Sequence, residues 1–173
     1  MILAVDVHYE GDRATVAGIL FEPWQTDTIA QALVKRIDAI APYEPGAFYK
    51  RELPCILSLL SDVASPLNYI VIDGFVTLGA EQKPGLGMYL HHHLQQFPLH
   101  NQIQPIPVIG VAKNSFMGTS KECKLLRGSS EKPLFVTTAG MDLTVAKTHI
   151  LSMHGDYRIP TLLKKVDQLC RHI

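Results

Sequence analysis

The N-terminal part of the chain carries the feature that most constrains its fold, which is a pair of apolar strand-like runs separated by a tight turn. Residues 2–9 (ILAVDVHY) and 13–21 (RATVAGILF) are rich in aliphatic and β-branched residues, and Gly11-Asp12 between them is typical of a hairpin. We therefore expect the fold to begin with two antiparallel strands. A weaker strand pattern over 24–31 predicts a third.

Further along the chain, helix and strand patterns alternate. The PYEPG turn at 42–46 precedes a helix that ends by Ser65, with Glu52 at its N-terminal edge and Pro54 in its first turn. Strands are predicted at 69–73, 106–112 and 133–138, and helices at 86–96, 142–153 and 161–171. A hairpin followed by such units predicts an α/β fold with a mixed sheet flanked by helices. The length suits a single domain over 1–173.

Composition narrows the class of protein. Apolar residues make up 47% of the chain and charged residues 18%, which indicates a globular protein and not a disordered one. No apolar run is long enough to cross a bilayer, and the first residues lack the pattern of a signal peptide. Three scattered cysteines indicate reduced thiols, two of them buried and one in a loop. We expect a cytoplasmic protein without a membrane partner.

The charge balance limits how the chain could bind nucleic acid. Its formal net charge is zero and its pI is near 7.1. Proteins that wrap long stretches of duplex are usually strongly basic, so this balance argues against such binding. It is compatible with an enzyme that contacts a few nucleotides, because backbone amides and metal ions also neutralise phosphate.

Three carboxylates have the positions of a metal site. Asp6 lies inside the first strand, Glu52 at a helix start, and Asp73 at the end of an apolar strand. Each has an ordinary explanation on its own: a solvated strand face, a helix dipole, and an Asp-Gly turn. Together they predict convergence on a hard cation, Mg²⁺ with Mn²⁺ as the alternative, which could activate water for phosphodiester hydrolysis. Lys113 would place a positive charge near the phosphate.

Other polar residues are predicted to have structural roles. Three consecutive histidines at 91–93 point in different directions on a helix, so they are expected at the surface and not around one metal ion. Asp142 is a plausible N-cap. On the last helix, the charged residues are predicted to remain in solvent: Lys164, Lys165, Asp167 and Arg171.

Several segments resemble one family of nucleases. YEPGAFYKRELP (43–54) resembles the Y-x-P-G-x-x-x-x-R-E-x-P segment of the endonuclease V family. VDVHY (5–9), IVIDG (70–74) and IGVAKNSFMG (109–118) are similar to its first strand, its central strand and its I-G-V-A-K segment. KPLFVTTAG (132–140) and YRIPTLLKKVDQL (157–169) resemble its C-terminal block. Because these segments follow the family order, the chain is identified as a divergent, shortened member of the family.

The resemblance implies a fold and an activity. It implies an RNase H-like fold and a Mg²⁺-dependent endonuclease of the DNA-repair type. Such an enzyme hydrolyses a phosphodiester near a deaminated base (inosine, whose base is hypoxanthine) in DNA or RNA. It assigns Asp6, Glu52 and Asp73 to the metal and Lys113 to the active site. Tyr43 matches the tyrosine that wedges into the duplex, and the other expected nucleic-acid-binding residues are Pro45, Gly46, Gly74 and Gly85.

The chain also departs from the family pattern. FVTLGAEQK (75–83) replaces the His-Pro-Arg stretch that usually follows Asp-Gly, Gly140-Met141 replaces a Gly-His pair, and the segment from Gly118 to Lys132 is short. Two alternatives therefore stay open. One is an RNase H-like nuclease for RNA or structured nucleic acid. The other is a non-catalytic binding module, which predicts acids that point apart or pair with internal lysines.

Overall fold

The predicted hairpin forms one side of a larger sheet. The computed structural model of the protein describes residues 1–38, 40–45 and 47–172. Strands β1 (Ile2–Glu10) and β2 (Arg13–Phe21) pair antiparallel around Gly11, whose φ of +64° suits a residue without a Cβ. The hairpin prediction is confirmed.

The third strand lies later than its pattern predicted. Strand β3 (Gln31–Ile37) pairs antiparallel with β2, whereas residues 24–30 form a connection. Buried Trp24 begins that connection and packs against Phe21 and Tyr69, so its apolar character reflects loop packing and not a strand. Strand β3 is an exposed edge, which explains why its hydrophobic pattern is weak.

The remaining strands complete a seven-stranded mixed sheet in the order β3-β2-β1-β4-β7-β9-β8. Strand β4 (Tyr69–Asp73) pairs parallel with β1, and β7 (Val108–Ala112) pairs parallel with β4. Strand β9 (Leu134–Ala139) pairs antiparallel with both β7 and β8 (Lys124–Leu125). Strands β5 (Thr77–Leu78) and β6 (Lys83–Pro84) form a separate ribbon.

Helices cover both faces of the sheet. Helices α1 (Tyr49–Leu60) and α2 (Leu86–Gln96) pack in the core on one face, and α3 (Leu143–Ser152) and α4 (Thr161–Arg171) pack in the core on the other. The predicted α2 and α4 bounds are confirmed. Helix α1 begins earlier than predicted and ends at Leu60, so Glu52 lies in its first turn and Pro54 inside the helix. No helix in these described segments is long and apolar enough to cross a membrane.

Strand alternation decides which side chains reach each face. On β1, Leu3 and Val5 pack with the α1 and α2 side, whereas Ile2 and Ala4 pack with the α3 and α4 side. Because successive side chains alternate, Asp6 continues the series on the α3 and α4 side. The same alternation places Asp73 beyond Val71 and Lys113 beyond Val111 on that side.

His91 and Asp142 are polar residues whose predicted positions on the helices can be compared with the structure. His91 is only 6% exposed, and its Nδ1 lies 3.0 Å from the carbonyl oxygen of Ile106, so the surface prediction is wrong for this histidine. A Cβ added to Gly140 would lie 2.7 Å from the imidazole ring of His91. Asp142 caps α3 as predicted, because its carboxylate accepts hydrogen bonds from the amides of Thr144 and Val145.

Candidate functional site

The ends of two central parallel strands bring Asp6 and Asp73 together. The register of β1 and β4 pairs Val5 with Ile72, which leaves the two aspartates at the next positions of adjacent strands. Gly74 follows immediately at φ +127°, and its amide donates to the carbonyl oxygen of Val111 at 3.2 Å. Strand β4 therefore ends at Asp73, and the carboxylate lies at the C-terminal end of this central strand.

The third member of the acidic cluster comes from α4. Asp6, Asp73 and Asp167 each offer a carboxylate oxygen, and these oxygens all lie within 4.8 Å of one another. Hard divalent cations prefer oxygen ligands of this kind. The donor set therefore fits a cation such as Mg²⁺, and one ion could contact all three residues.

The role of Asp167 was missed by sequence reasoning, which predicted that this side chain remains in solvent. Its side chain is only 25% exposed and faces the strand ends. A signal was present, because Leu163 lies four residues before it and Cys170 three residues after it. Both neighbours belong to the apolar side of α4, so Asp167 lies at the border of the buried face.

Glu52 approaches the same region from the opposite face of the sheet. It is 6% exposed in the first turn of α1, whose other buried residues pack in the core on that face. Glu52 is not a member of the close cluster formed by Asp6, Asp73 and Asp167. The cluster nevertheless acts on Glu52, because the charges of Asp6 and Asp73 add to the effect of burial and raise the pKa of its carboxyl.

Lys113 lies between two of the aspartates. Its Nζ donates to the Asp73 carboxylate at 2.7 Å and to the Asp167 carboxylate at 3.4 Å. Arg171, one turn after Asp167, donates to the same carboxylate at 3.1 Å. The predicted site lysine therefore contacts the acidic cluster directly.

Burial and mutual repulsion leave two of the acids hard to ionise. Burial, followed by the charge of Asp73, raises the pKa of Asp6 to about 7. Burial, followed by the charges of Asp6 and Asp73, raises the pKa of Glu52 to about 8. A cation placed among these groups would favour their charged forms.

The contacts made by Lys113 and Arg171 favour the charged forms of the groups that they join. Burial alone would lower the pKa of Lys113, but the hydrogen bond and charge of Asp73 outweigh it and raise that pKa above its ordinary value. Burial would likewise raise the pKa of Asp167, but Arg171 and Lys113 hold it below its ordinary value.

An apolar cavity lies beside the acids. Asp6, Asp73 and Lys113 line one part of it, and the rest of its lining is mostly aliphatic, from the central strands, the residues before α4, and α4 itself: Val5, Val71, Ile72, Val111, Leu134, Ile159, Pro160, Leu163 and Val166. Aliphatic walls of this kind lower the local polarity around the acids. Electrostatic interactions at the acids are therefore stronger than they would be on an open surface.

The residues expected to contact nucleic acid differ in their exposure. Tyr43 is 62% exposed and packs edge-on against Phe48, and Pro45 is also exposed. Gly85 is buried at the start of α2, where a Cβ would lie 2.8 Å from the carbonyl oxygen of Phe75. Gly74 adjoins Asp73, and Gly46 lies outside the described residues.

The fold and the site together define a class. A mixed sheet flanked by helices, with a carboxylate cluster at the ends of its central strands, is an RNase H-like fold with a candidate metal centre. The family model described as Endonuclease V matches residues 1–135. The chain belongs to the endonuclease V family.

Individual relatives agree with this assignment. Endonuclease V from Streptomyces avermitilis is 29% identical, over 98% of this chain and 79% of that protein, and endonuclease V from Streptomyces coelicolor is 29% identical over 98% and 77%. The crystal structure of the Streptomyces avermitilis protein aligns with a TM-score of 0.73 at 28% identity over 98% of this chain and 79% of that one.

A more distant structure shares the fold. Ciona intestinalis endonuclease V, crystallised with a 24mer DNA containing an inosine followed by a ribo-adenosine, aligns with a TM-score of 0.77. The alignment covers 98% of this chain and 84% of that one at 16% identity.

Proposed function

We propose that the protein is a metal-dependent endonuclease that hydrolyses phosphodiester bonds near deaminated bases such as inosine in nucleic acid. The ion would be Mg²⁺, with Mn²⁺ as the alternative, and residues 1–173 would act as a single domain. One observation carries the proposal: Asp6, Asp73 and Asp167 meet beside Lys113 in a chain of the endonuclease V family. Its free cysteines favour a reducing compartment such as the cytoplasm.

Each acidic residue has a distinct part in this proposal. Asp6, Asp73 and Asp167 would hold the cation through one oxygen each. When bound, the cation supplies activation of water and stabilisation of the leaving oxygen. Glu52, a buried carboxyl in the first turn of α1, would orient water near the ion.

Lys113 would act on the phosphate. Its Nζ lies 2.7 Å from the carboxylate of Asp73. A phosphate oxygen entering between Asp73 and Asp167 would meet this ammonium group. Lys113 would then stabilise negative charge that develops during hydrolysis.

The nucleic acid would be recognised by residues around the cluster. Exposed Tyr43 is suited to stacking beside a distorted base step, and Pro45 and Gly46 are proposed to contact the same strand of the nucleic acid. Backbone at Gly74 and Gly85 would border a base removed from the stack. Inosine in the DNA bound to the Ciona intestinalis protein supports this choice of base.

A non-catalytic binding module is the second candidate, and the Lys113 contacts favour it. The 2.7 Å pair with Asp73 and the 3.4 Å contact with Asp167 partly neutralise the negative charge of the cluster. Buried Asp6 and Glu52, however, both have strongly raised pKa values. Burial is the main cause, and the repulsion from Asp73 adds to it, so Lys113 offsets only part of the cost of ionising these acids.

Cleavage of a labelled inosine-containing oligonucleotide tests the proposal. The wild-type protein with Mg²⁺ is expected to cut beside inosine and to leave an undamaged oligonucleotide intact, whereas Asp73→Asn is expected to cut neither. Parallel DNA and RNA oligonucleotides, single-stranded and duplex, identify an altered substrate preference. Binding without cleavage under either Mg²⁺ or Mn²⁺ would support the binding module instead.

A further inference from the structure

The connection between α3 and α4 lies beside the candidate site, because Ile159 and Pro160 line its cavity. Within it, Arg158 directs its guanidinium group at the backbone of two other segments. Nη2 donates to the carbonyl oxygen of Lys113 and, at 2.9 Å, to the carbonyl oxygen of Pro133. One side chain therefore links the residue just after β7 to the residue just before β9.

The same connection is fixed from its other side by Arg127. This residue is 4% exposed, and its guanidinium group donates to the carbonyl oxygens of Met153 and Tyr157. Gly128, at φ +63°, lies so close to Asp156 that a Cβ would collide with the backbone there. The segment that carries Arg158 is thus held against the loop before β9, which limits how far its guanidinium group can move.

The contact with Lys113 matters because of where this lysine lies. Strand β7 ends at Ala112, so Lys113 lies beyond the ladder that pairs β7 with β9. The Arg158 bond holds its carbonyl oxygen at this point. The side chain of Lys113 must meanwhile reach Asp73 at 2.7 Å and Asp167 at 3.4 Å.

We propose that Arg158 is a positioning residue that fixes the backbone of Lys113, so that the ammonium group of Lys113 faces Asp73 and Asp167. The connection that bears Arg158 leads directly into α4 and hence to Asp167. Arg158 therefore couples the position of the lysine to that of one of its acidic partners. The consequence for catalysis rests on the proposed nuclease function, whereas the positioning itself does not.

Trace labelling of lysines measures the positioning without any need for activity. The full-length protein and Arg158→Met are treated with acetic anhydride without divalent metal, and modification of each lysine is quantified by mass spectrometry. Lys35 is a matched internal reference, because it is paired with Asp62 at 2.9 Å and is 34% exposed, against 38% for Lys113. Labelling of Lys113 relative to Lys35 is expected to rise about two- to fivefold, as for loss of a half-exposed ion pair.

Two further variants make the labelling decisive. Arg158→Lys keeps a donor at the same place and should give an intermediate Lys113 signal, since an ammonium group lacks the planar geometry of guanidinium. Arg13→Met removes an exposed arginine paired with Asp38 and should leave the ratio unchanged. Should Arg158→Met fail to fold, as judged by circular dichroism, the Arg158→Lys ratio decides. A folded variant with wild-type labelling of Lys113 would overturn the proposal.

Kinetics give the catalytic consequence. If the wild type cleaves inosine-containing substrate, Arg158→Met is expected to lower kcat by about 10- to 100-fold with little change in KM, because a displaced group mainly loses transition-state contacts. An unchanged kcat would contradict the proposal. A wild type that cuts nothing would count against the proposed nuclease function, and the labelling ratio would still decide the positioning.

Discussion

Asp167 has the surroundings of a ligand more than those of a surface carboxylate. It shares the cluster with two strand aspartates, and both Lys113 and Arg171 contact it. These cations hold its pKa below the ordinary value, in spite of its partial burial. Asp167 is therefore already charged near neutral pH, and its carboxylate lies within the cluster.

Replacement of Asp167 by Asn tests this assignment. The variant keeps the size of the side chain but removes its charge, and even a contact behind a metal ligand is worth about 10- to 100-fold. We expect Mg²⁺ affinity, measured by isothermal titration calorimetry, to fall by at least about tenfold. Asp62→Asn, at an exposed ion pair with Lys35, should bind Mg²⁺ like the wild type. Equal affinities for all three proteins would exclude Asp167 as a ligand.

Glu52 gives a pH-dependent prediction for the metal-free protein. The pKa of its carboxyl is about 8 in the folded protein, against 4.5 as its ordinary value. Between these values the folded state binds more protons than the unfolded state, so stability falls as pH rises through the window. Glu52→Gln cannot ionise and is expected to lose less stability.

Thermal unfolding in the presence of EDTA measures this difference. From about pH 5 to about pH 9, the Tm of Glu52→Gln is expected to fall less than the Tm of the wild type. Glu10→Gln, at an exposed position, should follow the wild-type profile. Parallel Tm profiles for wild type and Glu52→Gln would show that burial of this carboxyl does not cost stability.

At the scale of elements, the sequence predicted the bounds of the strands and helices that have a regular pattern of apolar residues. The bounds of β4, α2 and α4 follow from apolar periodicity and were predicted. Strand β3 was misplaced because only one of its edges is paired, and α1 begins three residues before Glu52 because its first turn is not marked by apolar spacing.

The sequence predicted some residues of the candidate site but not all of them. Asp6, Asp73 and Lys113 end strands or interrupt them, which is visible in the sequence. Asp167 is visible as a site residue only once α4 is placed against β1 and β2. The apolar spacing of α4 places Asp167 at the border of the buried face, but its meeting with Asp6 and Asp73 depends on tertiary packing between the two ends of the chain.

Thr137 of β9 contacts the segment that follows Asp73. Its buried hydroxyl accepts a hydrogen bond from the amide of Val76 at 2.8 Å. Thr137→Val keeps the shape but leaves that amide without an acceptor, and we expect a loss of about 1–3 kcal/mol in the free energy of unfolding by urea. Thr137→Ser retains the hydroxyl and should lose less. A Thr137→Val protein more stable than Thr137→Ser would show that the hydrogen bond does not hold this turn.

At the scale of the whole molecule, zero net charge predicts how binding responds to salt. Each phosphate neutralised by a basic residue releases counterions, and for duplex DNA the slope of log K against log salt is about −0.9 per contact. A chain with 16 basic and 16 acidic residues has no excess charge with which to track a long backbone. Contacts should therefore be confined to the few phosphates next to the acidic cluster.

Fluorescence anisotropy with an inosine-containing duplex tests this at several salt concentrations, with Ca²⁺ in place of Mg²⁺ to slow cleavage. We expect a slope of about −2 to −4, corresponding to about two to four phosphates. Lys113→Met should reduce the magnitude of the slope by about one, whereas Lys35→Met, which removes the cation paired with Asp62, should not change it. A slope steeper than about −6 would mean that the exposed lysines of the loop before β9 also contact the nucleic acid. Binding would then depend on local positive charge more than on the net charge of the chain.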